Sequence, residues 1–410
     1  MAVAGATIGP LAEKLSGMGE VSTVQVPDVL AGHVAAGEAP GVLALVSRGD
    51  EVTVDVAGTA DLDGRVPIRR DTIFRIGAMT VPMVAAAALM LAEEDRLALD
   101  DPVDLWLPEL ASRRVIRTFT ADLDDTQPAK SPITLRHLLT NTWGFGLFFG
   151  AGDAPLRRAA NELRVLNGPP IPENSDSPDE WLRRLGTLPL VHQPGEGWMY
   201  SIGADVLGIL LARASGQPLE QVLQERVFAP LGMVDTGFAV PVEKLERVPP
   251  AYARDPRSGE LHVYDPGSWG TEWRERPTYP SAASGLVSTV DDLLAFARML
   301  LRGGRVGDDW LLTRRSVAAM TTDQLTPEAR AGARFFPGFF ERHGWGYGLA
   351  VTAAGRFGWD GGLGTSCWVD PPTETIGILM TQRPGMPLQS DLYRDFWDAA
   401  TKEALPKNVS

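Results

Sequence analysis

The first hydrophobic pattern in the chain predicts a short helix followed by two strands. Leu30 and Val34 lie four residues apart, on one face of a helix over 27–36. Apolar residues then fill the segments 41–46 and 51–57, which a short polar turn separates. These two segments predict a β-hairpin, the first pair of strands in a sheet.

A longer apolar run, from Met83 to Leu91, predicts a central helix that we expect to reach about Leu97. The chain turns sharply just before it, so the helix presents its N-terminus at the turn. Free N–H groups and the positive end of the helix dipole favour a carboxylate or a developing oxyanion there. Because no Ser, Cys, His, Lys, Asp or Glu lies between Ile76 and Ala92, only the main chain offers this anion site.

The middle of the chain is less regular. A short helix is predicted over 134–140 and a longer one over 204–214. The segment 147–194 between them is rich in Pro, Gly, Asn and charged residues. Such a long segment is either a plain surface excursion or a lid over a ligand, and both interpretations are open.

The last third of the chain alternates as strands do, after a helix predicted over 291–301. The predicted strands are 344–351, 355–359, 364–369 and 376–381. A C-terminal helix over 388–403 follows them. We therefore expect a mostly antiparallel sheet covered by helices.

Composition and charge exclude several classes of protein. The net charge of −14 over 410 residues argues against nucleic acid and anionic membranes as partners. A single cysteine, Cys367, excludes an intrachain disulfide, and the five histidines lack metal-ligand spacing, so we expect no metal and no cofactor. Without a signal peptide pattern or an apolar run of about 20 residues, we expect a cytoplasmic protein. The oligomeric state is not indicated.

The segment Ala78-Met79-Thr80-Val81 carries a family resemblance. With its flanks, 71–76 and 97–103, it is similar to the S-x-x-K segment of the serine β-lactamase and penicillin-binding-protein superfamily, in particular the family VIII-like esterases and transacylases. In that family the Ser is acylated and the Lys helps to activate it. Here Ala78 has no hydroxyl and Val81 no amine, so that covalent mechanism cannot run at this position.

Two further segments resemble the other motifs of the superfamily. Tyr200-Ser201-Ile202 keeps the Tyr of the second motif. Trp359-Asp360-Gly361-Gly362 stands where the third motif has K-T-G or, in the esterase-like branch, W-x-G. The absence of the K-T-G lysine argues against β-lactams as substrates.

The resemblance extends from about Val24 to Trp397 and implies the fold. We expect an α/β (α+β) β-lactamase/transpeptidase-like fold, with an antiparallel sheet flanked by helices and an all-helical subdomain. Residues 21–76 and 286–403 would form the sheet region and 77–285 the helical subdomain. The active cleft would lie between them.

The family also implies the chemistry that could remain. Its oxyanion hole uses two main-chain N–H groups, which here would be those of Ala78 and Gly362. Tyr200 would donate or accept a proton, and its pKa should stay near ~10 without the lysine. Asp360 could act as a base if its side chain faces the cleft, although it could equally face solvent.

Several residues are candidates for contact with a ligand. Aromatic residues in such segments are most often local core, and a ligand wall is the alternative. The candidates are Val81, Trp143, Phe148, Phe149, Trp181, Ser201, Trp269, Trp273, Trp359 and Gly361.

Three hypotheses about function follow. In the first, the protein is a repurposed small-molecule enzyme, in specialised metabolism, that performs a cyclisation, isomerisation, elimination or addition without a covalent intermediate. In the second it is a pseudoenzyme that binds a ligand or partner without turnover. In the third it is an inactivated variant of a serine ester hydrolase or acyltransferase. A nucleophile relocated to Thr80 or Ser201 has no visible base to support it.

Overall fold

A seven-stranded antiparallel sheet forms the centre of the computed structural model, which describes residues 25–149, 152–166, 176–270 and 273–402. Its strands are β1 (Gly41–Arg48), β2 (Glu51–Gly58), β3 (His343–Trp345), β4 (Ala350–Thr352), β5 (Phe357–Gly361), β6 (Thr365–Asp370) and β7 (Thr375–Thr381). Their order is β3-β4-β5-β6-β7-β1-β2, so strands from the two ends of the chain meet where β7 pairs with β1. This is the antiparallel sheet that the sequence predicts.

Helices cover both faces of the sheet. On one face lie α1 (Val26–Ala35) and α5 (Leu392–Lys402), which contact each other. The opposite face is covered by α4 (Val290–Leu301), whose Thr289 cap accepts a hydrogen bond from the Asp292 amide. This arrangement buries the sheet between two helical layers.

The central helix, α2 (Thr80–Glu93), is buried from Thr80 to Leu91. A helix that is apolar on all sides belongs inside a protein, and α2 packs against α3 (Ile202–Ser215). The burial positions the first turn of α2 rigidly beside the sheet. Helix α2 ends at Glu93, four residues before the predicted end at Leu97.

The predicted strand 344–351 was wrong as a single element. The structure has two short strands, β3 and β4, because the chain reverses between them at Gly346 and Gly348. Gly348 has a φ of +81°, which favours glycine, and a side chain at Gly346 would collide with the Met320 carbonyl.

The segment 147–194 contains two helices in its described parts, Pro155–Glu162 and Pro178–Leu185. Residues 150–151 and 167–175 of this segment lie outside the described residues. Whether this segment covers the cleft therefore stays a prediction, as does the division of the chain into two regions.

The remaining elements are short. The remaining α-helices are Leu135–Leu139, Leu219–Leu223, Ala229–Leu231, Arg314–Met320, Pro327–Ala331, Phe339–Arg342 and Met386–Gln389. The paired strands are Phe74–Arg75 with Val287–Ser288, Arg114–Ile116 with Thr126–Pro128, Ala251–Arg254 with Leu261–Asp265, and Arg305–Val306 with Asp309–Trp310. Within the described ranges, no helix combines the length and the apolar composition that crossing a bilayer requires.

Candidate functional site

The turn that leads into α2 is fixed by the side chain of Thr80. Its hydroxyl donates to the Gly77 carbonyl at 2.7 Å and accepts from the Leu286 amide at 3.2 Å. Thr80 is fully buried. Its hydroxyl is thus occupied within the protein, and the geometry gives no support to Thr80 as a relocated nucleophile.

Two main-chain amides meet where this turn touches the end of β5. A Cβ built on Gly77 would lie only 3.5 Å from the Gly362 nitrogen, so Ala78 and Gly362 are close neighbours. In the part of the chain that the structure describes, neither the Ala78 N–H nor the Gly362 N–H donates a hydrogen bond. Gly362 is exposed, with open space where a side chain would be. The pair therefore offers two uncommitted donors to a ligand.

Gly361 has a different role from the predicted ligand contact. It is buried, and a Cβ at this position would lie 2.3 Å from the Ile76 carbonyl oxygen. Thr365 donates to the same oxygen at 2.9 Å. Gly361 thus lets β5 approach the turn, and its missing side chain makes room for protein rather than for ligand.

Tyr200 and Trp359 are joined by a hydrogen bond. The Trp359 indole N–H donates to the Tyr200 hydroxyl oxygen at 2.7 Å, and their rings lie 5.5 Å apart. Burial raises the pKa of Tyr200, so the hydroxyl stays protonated at neutral pH. Because the oxygen already accepts from Trp359, its hydrogen is oriented away and can be donated to a ligand.

The structure corrects the placement of Asp360. Successive strand residues face opposite ways, and Gly361 faces the turn, so Asp360 faces the other side of the sheet. There Ser366 and Trp368 donate to one of its oxygens at 2.6 and 2.9 Å. Burial raises the pKa of Asp360. A base at the cleft is therefore not supplied by this carboxyl group.

Val81 lines an apolar part of the site. Its side chain packs with Ala204 of α3 and with Ala283, all three of them buried. Ser201 directly precedes α3 and is half-buried, and it makes no side-chain cap hydrogen bond to that helix. Val81 therefore stands in a buried, uncharged environment.

Four predicted ligand contacts are core residues instead. Trp143 is fully buried against Phe145, while Phe148 packs on Phe119 and Phe145. Trp181 is buried against Tyr279. Trp273 is buried and donates to Asp265 at 2.9 Å. Burial of a large aromatic ring contributes a large favourable free energy, which explains why these residues are part of the core.

Two other predicted aromatic contacts have different outcomes. The side chain of Trp269 lies outside the described structure, although its backbone ends the short helix Gly267–Trp269. Phe149 is half-buried and packs on Phe335 and Phe336, with both ring separations at 5.0 Å. Phe149 therefore stays a candidate.

An aromatic wall beside Tyr200 was missed from the sequence. Phe335 lies 5.5 Å from the Tyr200 ring, and the wall also contains Phe149, Phe336, Phe339, Trp198 and Trp345. Phe336 is 38% exposed, so the wall is open on one side. The run Phe335-Phe336-Pro337-Gly338-Phe339-Phe340 is the signal that could have identified it.

The histidine that packs on the wall is uncharged at neutral pH. His343 stacks on Phe339 at 4.7 Å, and burial lowers the pKa of His343, so the imidazole is neutral at pH 7. Among the residues that the structure describes, no group of three or more His, Cys, Asp or Glu side chains could hold a metal ion.

Comparison with known proteins places this geometry in context. The beta-lactamase family profile matches residues 26–400. A Mycobacterium tuberculosis protein described as uncharacterized is 36% identical over 361 residues, which cover 85% of this chain and 86% of the relative. Esterase EstB of Burkholderia gladioli is 32% identical over 370 residues, 83% of this chain and 85% of the esterase.

A solved structure shows the same fold. EstCE1, described as a hydrolase with promiscuous acyltransferase activity, superposes with a TM-score of 0.74 at 26% identity, covering 92% of this chain and 97% of EstCE1. The predicted fold class is confirmed.

Proposed function

Because the chain belongs to the beta-lactamase family, we propose that it is a small-molecule enzyme that acts on a carbonyl compound without forming a covalent intermediate. On this proposal Ala78 and Val81 stand at the positions of the acylated serine and its lysine. The reaction would be a cyclisation, isomerisation, elimination or addition in specialised metabolism. A small molecule as ligand and a cytoplasmic location belong to the same proposal.

The observation that supports the proposal is a pair of uncommitted amides, those of Ala78 and Gly362, which donate no hydrogen bond among the described residues. The proposal adds the hydroxyl hydrogen of Tyr200 as a third donor. Donors fixed in place before reaction stabilise the negative charge that develops on a carbonyl oxygen, and each such donor is worth ~2.7–4 kcal/mol. This electrostatic stabilisation does not require a serine nucleophile.

Asp360 favours a second candidate function. Its side chain lies on the far side of the sheet, so it supplies no base to the three donors. A site with donors and no base binds a carbonyl ligand well without turning it over. The second candidate is therefore a ligand-binding pseudoenzyme, which measured turnover of any carbonyl substrate would exclude.

Covalent labelling tests the noncovalent character of both candidates. We expect no adduct by intact-mass measurement after incubation with a fluorophosphonate or an activated ester, since no activated nucleophile is placed at the donors. Esterase-like relatives labelled in parallel show that the reagents are reactive. A stoichiometric adduct on this protein would refute the proposal.

A designed pair of substitutions tests the assignment of Ala78 and Val81. Ala78→Ser with Val81→Lys should create ester hydrolysis, because it adds a hydroxyl beside the amides and an amine beside Tyr200. Ala78→Ser alone is the matched control, and we expect it to be slower by about 10²–10⁴-fold because it lacks the positioned base. Equal rates for the two variants would contradict the assignment.

A further inference from the structure

Asp205, Ser281 and Ser284 form a chain of hydrogen-bonding side chains. The Ser281 hydroxyl donates to the Asp205 carboxylate at 2.9 Å, and the Ala283 amide donates to the same oxygen at 3.1 Å. The hydroxyl oxygens of Ser281 and Ser284 lie 3.4 Å apart. Asp205 and Ser281 are buried, whereas Ser284 is the one residue of 281–290 that is partly exposed. The chain therefore leads from a buried carboxylate to an accessible hydroxyl.

The direction of each hydrogen in this chain follows from the carboxylate. A carboxylate only accepts hydrogen bonds, so the single hydroxyl hydrogen of Ser281 lies toward Asp205. In the Ser281–Ser284 contact the hydrogen then comes from Ser284, whose amide also donates to the Ser281 oxygen, at 3.2 Å. The lone pairs of the Ser284 oxygen are left to accept a proton from a ligand.

The segment 281–286 is held against the turn that carries the Ala78 amide. The Leu286 amide donates to the Thr80 hydroxyl at 3.2 Å. The Leu286 carbonyl accepts from the Ile76 amide at 3.0 Å. These two hydrogen bonds fix the segment beside the first turn of α2.

A small apolar cluster places Ser284 close to the candidate site. Ala283, the residue before Ser284, packs with Val81 and Ala204. Val81 is three residues after Ala78, so the cluster lies about one helical turn from that amide. The partly exposed Ser284 hydroxyl is therefore within reach of a small molecule that is bound at the amide.

Asp205 can also exchange protons with solvent. It lines a cavity of about 510 Å³ together with Arg213 and Tyr279. A polar cavity of this size has room for water. A proton that reaches the carboxyl group can therefore leave the protein, which restores the carboxylate.

We propose that Ser284 is a catalytic proton acceptor and that Ser281 and Asp205 are positioning residues that act through it. The inference rests on the proposed function in placing a carbonyl oxygen of the ligand at the amides of Ala78 and Gly362. The C–H bond next to that carbonyl breaks, its electron pair stays on the ligand as an enolate, and the proton goes to the Ser284 oxygen. The Ser284 proton passes to Ser281 and the Ser281 proton to Asp205, which becomes neutral.

This Asp205–Ser281–Ser284 relay supplies the base that Asp360 does not. It makes the substrate class a carbonyl compound with a hydrogen on the carbon next to the carbonyl group. Isomerisation, elimination and cyclisation can each begin with the enolate of such a compound. The relay thus favours an enzyme over a ligand-binding pseudoenzyme.

Deuterium exchange into 4-phenylbutan-2-one tests the relay without the natural substrate. In buffered D₂O near neutral pH, the wild type should speed the loss of the NMR signals of the hydrogens next to the carbonyl. Ser284→Ala and Asp205→Asn should each slow the protein-catalysed exchange by about 10²–10⁴-fold, because a positioned base contributes a factor of this size. Ser284→Thr keeps the hydroxyl and should restore most of the exchange.

Asp292→Asn is the matched control. Asp292 is a buried carboxylate that likewise accepts from a hydroxyl, that of Thr236 at 2.8 Å, and from an amide, that of Asp235 at 2.8 Å. Its network ends at Ser288, which is fully buried. This variant should therefore leave the exchange rate unchanged.

Three outcomes would overturn the relay. They are exchange by the wild type no faster than in buffer, full exchange by Ser284→Ala, and an equal loss of exchange in Asp205→Asn and Asp292→Asn. Ser284 is partly exposed, so Ser284→Ala gives an answer even if Asp205→Asn does not fold. A relay that fails while covalent labelling shows no adduct leaves the noncovalent proposal standing, so the two failures are distinguishable.

Discussion

At the scale of single residues, the proposed function assigns proton donation to the hydroxyl of Tyr200. Tyr200→Phe should reduce any measured kcat by about 10²–10⁴-fold, because it removes a positioned proton donor and keeps the ring. The buried indole N–H of Trp359 would also lose its acceptor, at a cost of ~1–3 kcal/mol in the free energy of unfolding.

Tyr393→Phe is the control for this variant. Tyr393 is a buried tyrosine of α5, on the opposite side of the sheet, so its substitution should leave kcat unchanged. If Tyr200→Phe retained full turnover, Tyr200 would have no part in the reaction.

His192 predicts a pH dependence of stability. Its pKa is about 4 in the folded protein and ~6.5 in the unfolded chain, so between these values the unfolded chain binds more protons. The free energy of unfolding should therefore be at its full value above pH ~6.5. It should fall as the pH drops toward ~4, by roughly 1–2 kcal/mol after allowance for partial exposure of the side chain. Urea denaturation at about pH 7.5 and about pH 5 measures this.

His192→Gln cannot titrate in this range and provides the comparison. Its stability should change less between the two pH values than that of the wild type. An identical change in both proteins would assign the pH dependence to other groups.

Residue roles could be predicted only where a motif carried them. Tyr200, Ala78 and Gly362 follow from the motif order, and their joint action as donors stays a prediction. The positions of Asp360 and Trp273 do not follow from the motifs. The direction of the Asp360 side chain depends on strand register, and the burial of the Trp273 ring depends on neighbours that are distant in sequence.

At the scale of elements, the first turn of α2 depends on one hydroxyl. Thr80→Val keeps the shape of the side chain and leaves the Leu286 amide without its acceptor. We expect the free energy of unfolding to fall by ~1–3 kcal/mol, measured by chemical denaturation. Thr80→Ser retains the hydroxyl and should lose clearly less. A Thr80→Val protein as stable as the wild type would show that the turn is held by packing alone.

Element types were predictable because the hydrophobic periods are strong. The hairpin β1–β2, the helix α4 and strands β6 and β7 were predicted within two or three residues of their observed bounds. The split between β3 and β4 was not, because it depends on Gly346 approaching the Met320 carbonyl. The helix Pro155–Glu162 was hidden by the polar composition of the segment 147–194, whereas residues 180–185 of the helix Pro178–Leu185 show some periodicity in the sequence.

At the scale of the whole molecule, two adjacent glycines have different roles. Gly361 lets β5 pack against the turn before α2, and Gly362 leaves its amide open to a ligand. Gly361→Ala would place a methyl group 2.3 Å from the Ile76 carbonyl oxygen, so we expect a loss of ~1–3 kcal/mol in the free energy of unfolding. Gly362→Ala meets no atom within 4 Å and should unfold as the wild type does. Thermal denaturation of the two variants gives the comparison. Equal destabilisation would show that the turn and β5 are not tightly packed.

The sheet contains one pairing that affects how the chain is made. In the β1–β7 ladder Val42 pairs with Thr381. The pairing of β1 therefore stays incomplete until β7 has been synthesised. At roughly 5–20 residues per second, this delay lasts on the order of tens of seconds. During that time the Gly41–Arg48 edge has no native neighbour on one side, and unpaired strand edges recruit other chains. A nascent-chain chaperone that shields this hairpin should raise the yield of folded protein more than one that acts after release.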